Sequence, residues 1–291
     1  MREPWKISMH GGHSGDFSKH GQDDLEPMVN AAIAFGYSTF GVTAHAPRSA
    51  TQFLYTEEAE AGYTPHDLQT DFASYVAEAR RLQSAYADQL EILLGAEVEI
   101  VPEATFDAEA ATLRDRHNLD YIVGGVHWVN EMPFDTSRED FNTAVASVGG
   151  LEPFLLRYYD LLAVMIDRVQ PEVVGHLDVP RIYAPNVASL SQSAFVTLKI
   201  DAILDRIAAG GMLLEINTSA LRKGLSEPYP ASWIVKRARD AGIRFTLSDD
   251  SHSVPQVGAH ISEGRDYLLT HGIESIHALT TSGEPRETSL R

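Results

Sequence analysis

Short runs of β-branched and other apolar residues alternate along the chain with longer stretches in which apolar positions return every three to four residues. The runs are KISMH (6–10), TFGVTAH (39–45), EILLGAEVEIV (91–101), YIVGGVHWV (121–129), EVVGHLDV (172–179), MLLEINTSA (212–220) and RFTLSDDSH (244–252). Each has the length and composition of a strand buried on both faces. The intervening periodic stretches predict helices over 24–35, 65–87, 106–116, 152–169, 189–209, 232–241 and 262–270. Thr64 followed by Pro65 is an N-cap followed by the first helical position, and Gly36, Gly210 and Gly211 stand where helix C-caps are expected. Seven strand-then-helix units without a linker predict an α/β barrel folded as one domain over 1–291. The segment 48–63 is expected to be an irregular excursion after the second strand, and 282–291 a loose tail.

Composition narrows the chemistry. The chain has 291 residues, 44% of them hydrophobic, enough for a sizeable core. Its 41 acidic against 23 basic residues give a net charge of −18. Such a surface repels nucleic acid and anionic lipid, so the expected partner is a small molecule. There is no cysteine, which excludes disulfides, thiolate metal sites and cysteine nucleophiles. The first residues lack the apolar core of a signal peptide, and no run approaches the ~18 apolar residues of a membrane span. A cytoplasmic enzyme is the expectation; oligomeric state is not legible.

What separates this chain from an ordinary barrel is where its ligand-type residues fall. A histidine or carboxylate stands at or just past the end of nearly every strand candidate: His10, His13 and the later His20; His45; Glu97 and Glu99; His127; His176 and Asp178; Glu215; Asp250 and His252. Parallel α/β folds place their sites at that end of the sheet. A lone histidine there is an ordinary polar residue, but so many on separate strands imply a shared metal site. His66, His117, His260, His271 and His277 fall on predicted helices or loops and are expected to be plain surface residues. Imidazole and carboxylate donors suit zinc, manganese or iron, and a carboxylate between two ions is a common way to hold a hydroxide. No G-x-S-x-G, H-E-x-x-H, P-loop or G-x-G-x-x-G pattern competes with this reading.

Eight ordered blocks, HGGHSGDFSKHG (10–21), TAHAPR (43–48), LYTEE (54–58), GAEVE (95–99), DYIVGGVHWV (120–129), VVGHLDVPRIY (173–183), LEINTSALRKG (214–224) and LSDDSHSVPQVG (247–258), resemble the polymerase and histidinol phosphatase (PHP) superfamily, and within it the histidinol-phosphate phosphatases. The resemblance implies a distorted (β/α)7 barrel of TIM-like type and three divalent ions. His13, Glu97 and Asp250 would hold one ion. Glu97 would bridge to a second, held by His127 and His176, and His20, His45 and His252 would hold a third. The family's first motif is usually His-x-His, whereas here it reads His10-Gly11-Gly12-His13. Either His10 reaches the metal through a glycine-permitted kink or that ion has one protein ligand fewer; we take His10 as the ligand.

The implied activity is hydrolysis of a phosphate monoester, L-histidinol phosphate of histidine biosynthesis, by a metal-bridging hydroxide, with Glu97, Asp250 and His252 as the catalytic candidates. Arg48, Arg181, Arg222 and Lys223 adjoin the ligand blocks and are the candidate phosphate donors. Glu99, Asp178 and Glu215 are candidates to orient metal-bound histidines or to bind the cationic groups of the substrate, with Asn217 beside them. The alternatives are another small phosphate ester, a non-catalytic metal-binding module, a nuclease or an amidohydrolase.

Overall fold

The computed structural model describes residues 3–184, 193–281 and 285–291. Seven parallel strands form one sheet in the order β1 (Ile7–Ser8), β2 (Thr39–His45), β3 (Glu91–Val98), β4 (Tyr121–Gly124), β7 (Val173–Val174), β8 (Leu213–Asn217), β9 (Arg244–Ser248). Two backbone bonds, Met9 N–H to Leu247 O and Asp250 N–H to His10 O, both 2.9 Å, carry β9 back to β1. The sheet is therefore a nearly closed barrel, as the strand count predicted.

Helices cover its outside: α1 (Leu25–Phe35), α3 (Pro65–Ala85), α4 (Phe106–His117), α6 (Leu151–Val169), and further helices at Ala194–Gly210, Ser232–Asp240 and Ile261–Thr270. The first four of the predicted stretch 189–209 lie outside the described residues. Helix α6 shows how the pattern becomes packing: Leu155, Tyr158, Leu162, Met165 and Ile166 are buried on one face. Each such side chain contributes about 1.5–3 kcal/mol relative to exposure. Thr64 caps α3 as expected, accepting from Asp67 N–H while Asp67 accepts from Thr64 N–H at 2.8 Å.

Several expected boundaries are corrected. All the barrel strands except β2 stop two to five residues earlier than their apolar runs, because the donor-bearing residues turn out of the sheet. Residues 128 and 129 belong instead to a small hairpin, β5 (Trp128–Val129) with β6 (Met132–Pro133). Helix α5 (Arg138–Ser147), not expected from the sequence, starts at Ser137, whose hydroxyl accepts from Asp140 N–H at 3.0 Å. The excursion 48–63 is partly ordered: a 3-10 turn, Thr51–Phe53, leads into α2 (Thr56–Glu60). Its Phe53 and Tyr55 form a small apolar cluster with Val101 and Trp128. The tail is not loose, since β11 (Arg286–Ser289) pairs antiparallel with β10 (Ser275–Ala278) and Leu290 is fully buried. Among the described residues no helix is long and apolar enough to cross a membrane.

Candidate metal centre

The barrel brings the strand-end donors to one place. Glu97, on β3, lies at its middle and is buried. Glu97 Oε1 is 3.1 Å from His127 Nε2 and 2.9 Å from His176 Nε2, and those two nitrogens are 3.2 Å apart. Donors about 2 Å from a tetrahedral ion lie roughly 3.3 Å from one another, so this corner has the spacing of a coordination shell. Glu97 Oε2 faces the other way, 3.2 Å from His10 Nε2, 3.4 Å from His45 Nδ1 and 3.8 Å from His13 Nε2. Gly125 permits this approach: a Cβ there would stand 2.9 Å from the His176 ring, 3.2 Å from Glu97 and 3.2 Å from His127.

The double glycine brings His10 in. Gly12 has φ +67°, and a Cβ at Gly11 would meet Asp249 Oδ1 at 2.6 Å and Ser251 Oγ at 3.0 Å. The bend is tied to the β9 loop, with Gly12 N–H donating to Ser251 Oγ (3.2 Å) and His13 N–H to Ser251 O (3.0 Å). Consequently His10, His13 and Asp250 stand together, with donor atoms within 4.8 Å of one another. Asp250 itself has φ +49°, a conformation that persists in a non-glycine residue only where its surroundings hold it. Those surroundings are Asn217 and Ser219, which donate to Asp250 Oδ2 at 3.3 and 3.1 Å and leave Oδ1 toward the histidines.

The third expected group is arranged differently. His45 and His252 gather with His13, all within 4.8 Å. His20 belongs to none of the donor groups among the described residues; its Nδ1 is 2.7 Å from Glu57 Oε1 and its Nε2 3.5 Å from Glu58 Oε1, although its ring lies 5.2 Å from that of His45.

Carboxylates behind the histidines fix their rings. Glu99 Oε1 is 3.1 Å from His127 Nδ1; Glu215 Oε1 is 2.9 Å from His10 Nδ1, and its Oε2 accepts from His176 N–H. Asp178 is occupied elsewhere, where it holds Arg181 and accepts from Ala231 N–H. Of the four candidate phosphate donors, three are engaged by protein acceptors. Arg48 is buried between Glu58 and Glu99, over the Tyr55 ring. Arg181 donates to Pro228 O at 2.8 Å, and Arg222 to the backbone oxygens of Asp249 and Asp250. Lys223 lines the open cavity above the donors.

Electrostatics follow the same geometry. Burial would lower His10, but Glu97, Glu215 and Asp250 outweigh it and hold the imidazole well above its ordinary value. His127 is raised in the same way by Asp135 and Glu97 against its burial. Burial would raise Glu97 and Asp250, yet the surrounding imidazoles hold both well below the usual carboxylate range. Burial, reinforced by neighbouring imidazoles, lowers His13 well below its ordinary value; burial also outweighs the nearby carboxylates at His45, lowered to about 4, and at His252. Neutral imidazoles and ionised carboxylates are the forms that bind metal, so His13, His45, His252, Glu97 and Asp250 are ready to do so, whereas an ion at His10 or His127 displaces a proton.

Metal ions fit these residues. His10 Nε2, His13 Nε2 and His45 Nδ1 face the cluster and are buried without a hydrogen-bond partner, an arrangement costly unless a cation satisfies the nitrogens. The PHP domain profile matches residues 10–219. The chain belongs to the PHP domain family. This PHP domain is 38% identical over 273 residues to a Schizosaccharomyces pombe protein named "probable histidinol-phosphatase", covering 93% of the chain and 88% of the relative. It is 32% identical over 292 residues to the histidinol-phosphatase of Saccharomyces cerevisiae, covering 89% and 87%. It also shares its fold with the histidinol phosphate phosphatase of Lactococcus lactis, solved with zinc, L-histidinol and phosphate, at TM-score 0.70 and 20% identity over 98% of this chain and 100% of that one.

The sequence did not single out Ser219, Asp249, Tyr55, Asp135 or Thr136. Ser219 follows the noted Asn217 by two positions. Asp249, beside Asp250, is buried and takes Tyr37 Oη at 2.6 Å and Gly258 N–H at 2.7 Å, which braces the donor loop. Tyr55 lies within the LYTEE block (54–58) with no role attached to it, and no local pattern marks Asp135 or Thr136; all three reach the cavity from loops.

Proposed function

We propose that this PHP domain is a metal-dependent phosphomonoesterase that hydrolyses L-histidinol phosphate to L-histidinol and inorganic phosphate. The observation that carries the reading is the convergence of buried imidazoles on the two oxygens of Glu97. The names of the relatives at 38% and 32% identity support the substrate, and the zinc in the Lactococcus lactis structure supports the cofactor.

In this reading Glu97, His127 and His176 would hold one ion, and Glu97, His10, His13 and Asp250 a second. His45 and His252 would hold a third together with His20, which would have to turn from Glu57. Divalent ions in these places would neutralise the phosphoryl oxygens and lower the pKa of a water to about 7. Asp250 Oδ1, kept ionised by its neighbours, accepts the proton of the attacking water as its oxygen bonds to phosphorus. The same carboxyl returns that proton to the alkoxide as the ester bond breaks, while His252, whose Nδ1 is 3.0 Å from Asp250 O, has its ring fixed as a donor for the third ion. Lys223, at the rim, contacts a phosphoryl oxygen; Arg48, Arg181 and Arg222 act instead by bracing the loops that carry Glu99, the 227–231 segment and Asp250.

Metal analysis of the purified protein combined with phosphate release from a panel of phosphomonoesters tests this. We expect more than one divalent ion per chain and a preference of about tenfold or more for L-histidinol phosphate over generic esters. Equal rates on all esters would remove the substrate assignment and keep the phosphatase. Failure of zinc, manganese and iron to bind would remove both.

A further inference from the structure

The cavity above the donors is walled by side chains from two segments that lie outside the strand-end pattern. Tyr55 comes from the excursion 48–63, Asp135 and Thr136 from the stretch between the β5–β6 hairpin and α5; Val179 and Lys223 complete the wall. These residues meet the part of a substrate that the metal donors do not.

Asp135 differs from every other carboxylate of the centre. Glu97, Glu99, Glu215 and Asp250 each have imidazole, guanidinium or amide partners; among the described residues Asp135 accepts no hydrogen bond. The basic nitrogen within 4 Å of it is His127 Nδ1, at 3.8 Å, and that nitrogen is already served by Glu99 Oε1 at 3.1 Å. The adjacent hydroxyls are also spent, since Thr136 Oγ1 and Ser137 Oγ both donate to Asp140 Oδ2 at 2.6 Å. Tyr55 Oη is committed to Glu99, which leaves its ring to the wall.

The position is firmly built nevertheless. Phe134, next to Asp135, is fully buried against Phe154 and Tyr158, and its N–H donates to His127 O at 3.1 Å. A carboxylate whose side chain is only 16% exposed, fixed on a rigid backbone and left without a hydrogen-bond donor, has its lost hydration offset only across 3.8 Å, by a His127 imidazole that Glu99 already holds, and direct compensation is missing. A cationic ligand group supplies that compensation.

We propose that Asp135 is the subsite for the cationic end of the substrate, a protonated amine or imidazolium tethered to the phosphate ester. The assignment rests on the reading that the phosphoryl group lies at the donor cluster. The cavity then recognises a zwitterion from both ends, phosphate over the metal donors and Lys223, cation at Asp135. That is a basis for preferring an amino-alcohol phosphate over an uncharged one.

The test compares metal-loaded wild-type protein with Asp135→Asn. L-histidinol and inorganic phosphate binding are measured by calorimetry, and kcat/KM on L-histidinol phosphate and on glycerol phosphate. A charged hydrogen bond of this kind is worth roughly tenfold or more in affinity. We therefore expect Asp135→Asn to weaken L-histidinol binding and raise KM for its phosphate by about that factor, with phosphate binding, metal content and turnover of glycerol phosphate held within about twofold. Unchanged L-histidinol binding, or none in the wild type, overturns the proposal. So does an equal fall on both esters or a loss of metal, which would make Asp135 a support for His127. Should neither ester be hydrolysed while L-histidinol binding still depends on Asp135, the hydrolytic reading fails and the subsite stands.

Discussion

At one end of the donor cluster Glu97, His127 and His176 face each other across about 3 Å; at the other, His20 lies against two glutamates while His45 and His252 gather with His13. The first three stand on a strand or within three residues of its end, where the chain is tethered by Gly125 N–H to Val98 O and Gly175 N–H to Gly124 O, both 3.0 Å. His20 comes from the loop between β1 and α1, where its N–H is held by Ser18 Oγ at 3.1 Å. Donors tied to a strand have one position available, and a donor on a loop can be claimed by whatever charge lies nearby. The two ends should therefore differ in what a substitution costs.

The largest effect is expected at the strand-tethered end. His127→Ala or Glu97→Ala removes a donor that nothing else can replace and with it several kcal/mol of charge stabilisation, so kcat should fall by about a thousandfold or more, with loss of bound metal. Phosphate release and metal content measured on the same preparations check this. His117→Ala, whose ring packs on Phe72 at the end of α4, should leave both within about twofold. Comparable losses from His117→Ala and His127→Ala would sink the assignment of the centre.

At the loop end the cost is smaller. His20→Ala leaves the Glu97 core intact, and we expect a fall of about tenfold in kcat/KM that added zinc partly restores. A loss as deep as that of His127→Ala would show that the two ends act as one unit.

The same contrast explains what the sequence made legible. Seven apolar runs disclosed seven strands because a parallel sheet buried on both faces needs such runs, and the donors were visible because strand ends are where barrels keep them. The strand lengths were overestimated because Gly125 and Asp250 look like continuations of a strand, whereas Gly125 leaves the space into which His127, His176 and Glu97 close and Asp250, at φ +49°, turns its loop out of the sheet. The strand 286–289 was missed because R-E-T-S has one buried position, Thr288, and depends on pairing with β10. Basic residues beside the ligand blocks were apparent, but which acceptor would take each was not. Arg48 meets Glu58 and Glu99 only once the excursion folds over β3. The same tertiary event sets Glu57 against His20.

That last contact gives the most delicate test. Burial would lower His20, but Glu57 and then Glu58 outweigh it and raise the imidazole to about 9, while Glu57 is lowered to about 2. A metal needs the neutral ring, so between pH 6.5 and about 9 an ion using His20 must displace a proton, and its affinity should climb about tenfold per pH unit. Glu57→Gln removes the largest support for the proton. His20 then falls back toward its ordinary value, and the climb in zinc affinity should level off at a lower pH. In the metal-free protein the sign reverses. The raised His20 contributes stability that is fully present below about pH 6.5 and lost as pH rises through about 9, so Glu57→Gln should destabilise at pH 6 and be close to neutral above pH 9. Zinc titrations and thermal melts across pH 6 to 9.5 read the two effects separately. If the stability effect is seen without any shift in zinc affinity, His20 is a partner of Glu57 alone, and the third ion rests on His13, His45 and His252.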